Sequence, residues 1–230
     1  MRVRCDSSST LTCRNTLTFD VTSMDGAWYG SFYNTDGDKD NVSLTVSGGE
    51  VTTFAYETLG LDTSTITSGT LQTTSEELRA SHGCIVFDSE TTADFCVAFR
   101  TNSDIDRAFG FSLTEGGVLS VFVMDKNGSQ TTFAADDIAG RWQGFAVTLD
   151  SNNYASSLDA FTAIVDEDGN ISGIADSGSF TGTLPYYWTW IGANDGTINS
   201  EPIVLVQNPA KDVVIGYFTT SYTAFIATKQ

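Results

Sequence analysis

Two tryptophans lie in the same short frame, more than a hundred residues apart. The first copy is DGAWYGSF at 25–32 and the second is AGRWQGFA at 139–146, so Trp28 and Trp142 each sit between two glycines. The chain has only four tryptophans, and a frame that returns around two of them indicates an internal repeat. This feature predicts a duplicated structural unit.

The similarity extends beyond the two motifs. Residues 97–126 align with residues 204–229, and each segment reads as a strand, a polar turn, a second strand, a tight turn and a closing strand. The polar turns carry Asn102 and Asn208 at matching places. A repeat that continues past its opening motif favours duplication over chance. We therefore predict an N-terminal extension with one strand at 1–24, a first β-barrel repeat at 25–126, a linker or strand at 127–139 and a second β-barrel repeat at 140–230.

Apolar and polar residues alternate with a period of two through most of the chain, which is typical of strands with one buried face. The clearest predicted strands are TLTFDV (16–21), VSLTV (42–46), FCVAF (95–99), VLSVFV (118–123), DAFTAIV (159–165), PIVLV (202–206) and YTAFIA (222–227). Tight turns, where Gly or Asn supplies a positive φ, are predicted at SGGE (47–50), EGG (115–117), KNG (126–128), EDGN (167–170) and NDG (194–196). Residues 73–82 are the one weak helical candidate, and we expect a loop or a single turn there. The fold class is therefore all-β, with antiparallel up-and-down meanders.

The glycines beside each tryptophan have a structural meaning. In a strand, Trp28 shares a face with Gly30, and Trp142 shares a face with Gly144. A glycine next to a tryptophan leaves room for the indole to lie along the sheet, and it permits the coiling that a small closed barrel needs.

The segments GAWYG (26–30) and GRWQG (140–144) resemble the first strand of the calycin superfamily, the lipocalins and avidins. There a G-x-W motif begins an up-and-down barrel and the Trp packs across its closed end; similar tandem units occur in uncharacterised exported bacterial proteins. The resemblance implies two tandem small calycin-like barrels, and one larger β-sandwich or barrel built from the two repeats is the alternative. Lipocalins also cover the Trp with an arginine, whereas the closing strands here offer only Lys126 and Lys229.

The charge of the chain restricts its partners. At pH 7 the formal net charge is −18, and both predicted repeats are acidic. Such a field repels a phosphate backbone or an anionic membrane surface, so the sequence argues against nucleic acid and lipid headgroups as partners. No apolar run reaches the roughly 18 residues of a membrane-spanning helix, which predicts that the chain has no transmembrane segment.

The chain has four cysteines, Cys5, Cys13, Cys84 and Cys96, and one histidine, His82. This set contains no C-x-x-C spacing and argues against zinc. Folding the run between the last two cysteines about its centre places Cys84 opposite Cys96 on neighbouring strands, which suits a disulfide. Cys5 and Cys13 would then close a short N-terminal loop.

Two disulfides predict an oxidising compartment, so we expect the protein to be secreted or to lie in the cell envelope. The chain begins MRVRC without an apolar signal segment, and we interpret it as a mature or trimmed form. An alternative interpretation of CDSSS is the start of a bacterial lipoprotein anchored through Cys5, which would leave Cys13 unpaired.

The most suggestive ligand-binding segment is LPYYWTWIG (184–192). Strand alternation places Tyr186, Trp188 and Trp190 on one face, where the rings can stack on a sugar or line a cavity for a flat apolar ligand. Trp28 and Trp142 are the other candidate ligand contacts. For all of these aromatic residues, core packing is the alternative.

A candidate metal site lies in NTDGDKDN (34–41), where Asp36, Asp38 and Asp40 occupy alternate positions. Carboxylates on a loop are ligands that calcium prefers, but the segment lacks the glycine and the glutamate that an EF-hand loop has at its sixth and twelfth positions. The EF-hand pattern therefore fails, and we expect an exposed acidic hairpin turn and no cofactor, with a calcium site at these three carboxylates as the alternative.

Sequence signatures of catalysis are weak. The chain has a single histidine, no G-x-S-x-G nucleophile motif and no phosphate-binding loop. We expect an exported, non-enzymatic protein that binds a small apolar or sugar-like ligand. Two alternatives stay open: a structural or adhesive surface subunit that self-associates by adding its N-terminal strand TLTFDV to a neighbour, and a barrel enzyme of the cyclase type, which needs only a shaped cavity and a few polar groups.

Overall fold

The fold was analysed in a computed structural model of the chain. The structure describes residues 2–4, 14–16, 19–34, 37–57, 66–75, 80–87, 95–102, 104–114, 119–129, 131–149, 155–185, 192–221 and 223–230. No helix in these residues is long and apolar enough to cross a membrane.

The described residues form strands and two short 3-10 helices. The strands are β1 (Arg2–Arg4), β2 (Arg14–Thr16), β3 (Gly26–Asn34), β4 (Lys39–Ser47), β5 (Glu50–Tyr56), β6 (Ile66–Ser68), β7 (Leu71–Ser75), β8 (Ala80–Phe87), β9 (Phe95–Thr101), β10 (Arg107–Thr114), β11 (Leu119–Lys126), β12 (Gly140–Leu149), β13 (Ala155–Val165), β14 (Asn170–Ala175), β15 (Gly178–Thr183), β16 (Ala193–Ile198), β17 (Glu201–Gln207), β18 (Val213–Phe218) and β19 (Thr223–Lys229). The 3-10 helices are Val21–Met24 and Ala135–Asp137.

All strand pairs are antiparallel, and the strands form three sheets. The pair β1-β2 is separate; β3 to β11 form a nine-stranded sheet in the order β5-β4-β3-β11-β10-β9-β8-β6, with β7 paired to β8; β12 to β19 close into an eight-stranded barrel in which each strand pairs with the next. We call β3–β11 the sheet unit and β12–β19 the barrel unit. The predicted all-β class with antiparallel meanders is confirmed.

The two units differ in how they close. In the barrel unit, β12 pairs with β19 from Trp142 opposite Lys229 to Thr148 opposite Thr223, so the described strands leave no free edge. In the sheet unit, the edge strand β5 meets the segment between β6 and β7 through an isolated bridge from Glu50 to Thr70. The sheet unit is therefore a strongly curved sheet whose edges touch, while the barrel unit is fully closed.

Some of the predicted turns are confirmed by the structure and others are wrong. The turn between β4 and β5 has positive φ at Gly48 (62°) and Gly49 (79°), as predicted. The predicted turn at 194–196 is wrong, because these residues lie inside β16 and the chain reverses at Asn199 and Ser200, with φ of 49° and 67°. Asn194 is fully buried and its amide donates to the carbonyl of Pro185, so it stabilises a strand end.

Two further expectations differ from the structure. Of the predicted strand at 16–21, Thr16 lies in β2 and residues 17–18 lie outside the described residues. Val21 begins a 3-10 helix, because the carboxylate of Asp20 caps it by accepting from the amide of Thr22 at 2.8 Å. The described parts of the segment 73–82 are strands, since residues 73–75 lie in β7 and residues 80–82 lie in β8, with Thr73 opposite Ser81. The described part of the predicted linker or strand at 127–139 holds the 3-10 helix Ala135–Asp137, and the predicted division of the chain into repeats and linker stays a prediction.

The two units pack against each other through the outer faces of their sheets. Apolar residues of β11 meet those of β16, β17 and β18 in a cluster whose buried members are Val121, Val123, Ala193, Val206, Val213 and Ile215. At the rim of this contact, Arg107 binds Asp125 at 3.1 Å and Asp212 of the barrel unit at 2.9 Å. Asp125 also accepts from the amide of Asn208 at 2.9 Å, so one carboxylate joins groups of both units.

We predict that Asp125→Ala destabilises the protein. The substitution removes the carboxylate that accepts from Arg107, Asn208 and the backbone amide of Ala210. Asp212 still accepts from Arg107 and Asn208. Loss of these charge-assisted hydrogen bonds in a half-buried site costs about 2 kcal/mol. Urea unfolding of the variant should show this loss, whereas Asp104→Ala, at an exposed position on a neighbouring turn, should change the free energy of unfolding by less than about 0.5 kcal/mol. Equal midpoints for the two variants would show that the carboxylate of Asp125 does not hold the units together.

The contact between the units also contains the hydroxyl of Tyr217, which is buried and has no hydrogen-bond partner among the residues that the structure describes. Burial raises the pKa of Tyr217 to about 12, and the nearby Tyr33 adds to the effect. The folded state therefore favours the neutral phenol, so its contribution to stability is complete below the unfolded pKa of about 10 and is lost as the pH rises toward about 12.

We predict that Tyr217→Phe is at least as stable as the natural chain at neutral pH, because it removes an unsatisfied buried hydroxyl and keeps the ring. Between pH 10 and about 12 the variant should lose less stability than the natural chain. Chemical unfolding at a series of pH values measures both effects. A clear loss of stability in Tyr217→Phe at pH 7 would mean that the hydroxyl has a partner.

Candidate functional site

The barrel unit is closed at one end by Trp142. The indole is buried and donates from Nε1 to the carbonyl of Ile138 at 2.7 Å, directly after the 3-10 helix Ala135–Asp137. Lys229, which is opposite Trp142 in the pairing of β12 with β19, lies over the ring with its Nζ 5.8 Å from the centroid. The same Nζ donates to the carbonyl of Asp137 at 2.8 Å. The tryptophan, the lysine and the short helix thus form one plug.

The sheet unit contains the same arrangement. Trp28 is buried and donates from Nε1 to the carbonyl of Met24 at 2.8 Å, at the end of the 3-10 helix Val21–Met24. Lys126 lies over its ring at 5.7 Å and donates to the carbonyl of Ser23 at 3.1 Å. In both units, therefore, a lysine on the closing strand covers the tryptophan ring. The calycin resemblance predicts an arginine at this place.

The glycines of the repeated frame are required by the backbone. Gly26 and Gly140 have φ of 136° and 134°, and a Cβ there would meet the lysine stems at 2.8 Å and 2.9 Å. A Cβ on Gly30 or Gly144 would overlap a carbonyl oxygen of the paired closing strand. The second glycine therefore permits close approach of two backbones, rather than only making room for the indole as the sequence suggested.

We predict that Lys229→Met and Lys126→Met each destabilise the protein by about 1–2 kcal/mol. Methionine keeps most of the apolar stem but loses the hydrogen bond to the 3-10 helix and the cation–π contact. Chemical unfolding should give a loss of similar size for both variants. Arg141→Met removes an exposed cation next to Trp142 and should be nearly neutral; a loss as large as that of Lys229→Met would point to charge alone as the cause.

A cavity occupies the interior of the barrel unit above Trp142. Its volume is about 240 Å³. Its floor includes Trp142, Ile138 and Leu184, and its apolar walls come from inward-facing residues of most barrel strands: Ala146, Phe161, Ala163, Val165, Ile171, Ala175, Phe180, Ile198, Ile203, Leu205, Val214, Phe218, Phe225 and Ala227. The polar groups that line it are Thr148, Asp159, Ser177, Asn199, Glu201 and Thr223.

The polar groups lie mostly at the end opposite Trp142. Thr148 and Thr223 are paired there across β12 and β19 and their hydroxyls are 2.9 Å apart. Ser177 and Asn199 lie in or beside the turns between β14 and β15 and between β16 and β17, and Glu201 opens β17. The cavity is thus an apolar chamber with a plugged floor and a polar, acidic mouth.

At three inward positions the barrel unit carries alanine where the sheet unit carries a larger side chain, which leaves room for the cavity. Counting from the equivalent tryptophans, Ala146 corresponds to Phe32 of the sheet unit, and counting from the equivalent lysines, Ala227 corresponds to Met124. Ala163 faces Trp142 across the strands, where Leu44 faces Trp28.

In the sheet unit the corresponding space is filled by rings. Phe32 packs against Tyr56 with centroids 4.5 Å apart, and Phe54 packs against Tyr56 at 5.0 Å. Burial raises the pKa of Tyr56 to about 12, with Asp40 adding to the effect. The same frame thus encloses a packed core in one unit and a chamber in the other.

The predicted ligand residues have different outcomes. Trp28 and Trp142 are both buried, and only Trp142 lines the described cavity. Tyr186, Trp188 and Trp190 lie outside the described residues, so the prediction for them stays untested. Their segment connects the end of β15 to the start of β16.

Two of the three candidate calcium ligands, Asp38 and Asp40, lie in the described residues. Asp38 is exposed and accepts from the amide of Asn34 at 3.1 Å, while Asp40 is fully buried and its Oδ1 accepts from the amide of Asn41 at 2.8 Å. Asp36 lies outside the described residues. No group of three or more potential metal ligands occurs among the residues that the structure describes, and calcium binding stays a prediction.

The cysteine prediction is supported at the level of backbone register. In the pairing of β8 with β9, Cys84 is opposite Cys96, as the sequence predicted. The disulfide itself stays a prediction, and Cys5 and Cys13 lie outside the described residues. His82 is on β8 opposite Ala98.

Comparisons with known proteins assign no family. No protein-family model and no curated protein matches the chain. Among solved structures, it is similar to a protein of unknown function from the DUF3598 family of Nostoc punctiforme, with 13% identity, coverage of 93% of this chain and 99% of that chain, and a TM-score of 0.38. It is also similar to a double mutant of transferrin binding protein B from Haemophilus parasuis, with 13% identity, coverage of 97% and 46%, and a TM-score of 0.36. At these identities and scores the likeness establishes neither family nor function.

Proposed function

We propose that this chain is an exported, non-enzymatic protein that binds a small, largely apolar molecule inside the barrel unit. The observation that carries the proposal is the chamber of about 240 Å³ between Trp142 and the mouth of the barrel. Apolar, preformed concavities with a few polar groups are where proteins bind small molecules. The aliphatic and aromatic walls favour an apolar ligand over a sugar, which needs many hydrogen-bonding partners.

We further propose that the chain carries two copies of one β unit with different tasks. The support is the repeated plug of tryptophan, lysine and 3-10 helix in both units. The sheet unit fills its interior with Phe32, Phe54 and Tyr56 and is a structural support. The barrel unit keeps alanine at Ala146 and is the binding unit.

A surface-subunit function has one observation in its favour. Four large apolar side chains on β12, β13 and β14 are exposed on the outside of the barrel: Phe145 at 52%, Leu158 at 63%, Ile164 at 55% and Ile174 at 70%. Nothing in the described residues shows what covers this face. The N-terminal strand proposed for self-association is also not free at its end, because Phe19 is buried in the sheet unit. Ligand binding is therefore the stronger proposal.

We predict that Ala146→Phe abolishes ligand binding and leaves the fold intact. The substitution places in the barrel the residue that the sheet unit carries at the equivalent position, and the ring occupies the chamber that a ligand would enter. Titration calorimetry with 2-phenylethanol, a one-ring neutral probe, should show binding to the natural chain and at least a tenfold weaker affinity for the variant.

Gln143→Phe is the matched control, since it adds the same ring to the exposed face of the same strand. It should bind the probe as the natural chain does, and urea unfolding should show all three proteins folded. Binding that survives in Ala146→Phe, or that is lost equally in Gln143→Phe, would place the probe outside the chamber. A natural chain that binds no one-ring probe would overturn the proposal.

A further inference from the structure

Asp159 places a carboxylate inside the apolar chamber. It lies on β13 opposite Ala146, and its neighbours on the same face are Phe161 and Ala163, which also line the cavity. No hydrogen bond or ion pair joins the Asp159 side chain to another residue in the described part of the chain. A charge beside apolar walls is costly unless an opposite charge or hydrogen-bond donors compensate it, so this position favours a ligand that supplies them.

The chamber contains no compensating base. None of the described residues that line it is basic, and Glu201 adds a second carboxylate near the mouth. Each basic residue of the barrel unit either contacts other residues of the protein or lies on the outer face of the barrel. Arg141 is exposed on the outer face of β12, Lys211 binds Asp137 at 2.7 Å, and Lys229 lies over Trp142 in the plug. The mouth therefore carries negative potential, which attracts cations and repels anions.

The sheet unit shows what happens to the same carboxylate when the space is filled. Asp40 lies opposite Phe32, as Asp159 lies opposite Ala146. Asp40 is fully buried and is satisfied within the protein, partly by the amide of Asn41. In the barrel unit, the missing ring leaves Asp159 facing open space.

We infer that the ligand of the barrel unit is a small apolar molecule with a cationic nitrogen group, an ammonium or amidinium, and that Asp159 binds this group. The inference rests on the proposed function, because it assigns chemistry to the same chamber. A cavity of about 150 Å³ lined by apolar side chains is sufficient for benzene, so about 240 Å³ suits one ring with a short aminoalkyl chain. Glu201, Thr148 and Thr223 also line the cavity and form the polar groups at its mouth.

The test uses three probes that share a ring and differ in charge: 2-phenylethylamine, 2-phenylethanol and 3-phenylpropionate. Calorimetric titration of the full chain at neutral pH should give at least tenfold tighter binding of the amine than of the alcohol, and the weakest binding for the carboxylate. Equal affinity for amine and alcohol would overturn the inference while leaving the proposed function in place. Absence of binding for all three probes would overturn both.

Variants locate the charge that matters. Asp159→Asn should weaken amine binding at least tenfold and leave alcohol binding within about twofold, because the substitution keeps the shape and removes the charge. Asp176→Asn is the matched control: it removes one charge at the same end of the barrel, outside the chamber lining, where its carboxylate accepts from the amide of Ala160. It should change amine binding by less than twofold.

Two outcomes would contradict the role of Asp159. If Asp159→Asn and Asp176→Asn weaken amine binding equally, the amine senses the overall acidic field and not one residue. If Asp159→Asn leaves the amine affinity unchanged while Glu201→Gln weakens it tenfold, the cation binds at the mouth and the residue is misassigned. Urea unfolding of each variant shows whether a lost affinity reflects lost folding.

Discussion

The structure depends on the close approach of two backbones beside a buried tryptophan. At Gly30 and Gly144 the closing strand of each unit passes through the space that a side chain would need, and this brings Lys126 and Lys229 over the indoles. The indole N–H and the lysine then satisfy neighbouring carbonyls at the 3-10 helix in front of the strand. A buried carbonyl without a partner is costly, so the plug fixes the short helix, the first strand and the last strand relative to one another.

This plug makes the interior above it free to vary. The same glycines and the same tryptophan contact occur in the closed barrel unit and in the curved sheet unit, although the two interiors are filled differently. The sheet unit fills it with Phe32, Phe54 and Tyr56, and the barrel unit has Ala146 and Ala227 where the sheet unit has Phe32 and Met124. In a repeat of this kind, one copy can keep a packed aromatic interior while the other copy has smaller side chains and an open chamber.

The sequence predicted what is local or periodic. The tryptophan frames, the glycine turn at Gly48 and the register of Cys84 with Cys96 all follow from spacing along one chain segment. The turn expected at 194–196 failed because Asn194 bonds to Pro185, a contact outside its own hairpin. The strand expected at 16–21 failed because Asp20 competes for the backbone as a helix cap.

The chamber was missed for a different reason. A cavity is a space without side-chain atoms, and no residue type in the sequence marks it. The sequence held one signal for it, the alignment of the two tryptophan frames, in which Ala146 corresponds to Phe32 at an inward position. Asp159 was missed with it, because a carboxylate in an alternating strand is normally counted as a solvent-facing residue. Only the register, which puts Asp159 opposite Ala146 as Asp40 is opposite Phe32, shows that both carboxylates face inward.

The contact between the two units explains how the barrel tolerates its chamber. An unfilled interior forfeits packing that a filled one gains, because the cost of a cavity rises with its volume. A fully buried Val or Ile contributes about 2 kcal/mol, so burial of Val206, Val213 and Ile215 against the sheet unit offsets part of this loss. These side chains lie on the outer faces of β17 and β18, whose inner faces line the chamber. The filled unit therefore stabilises the hollow one from outside.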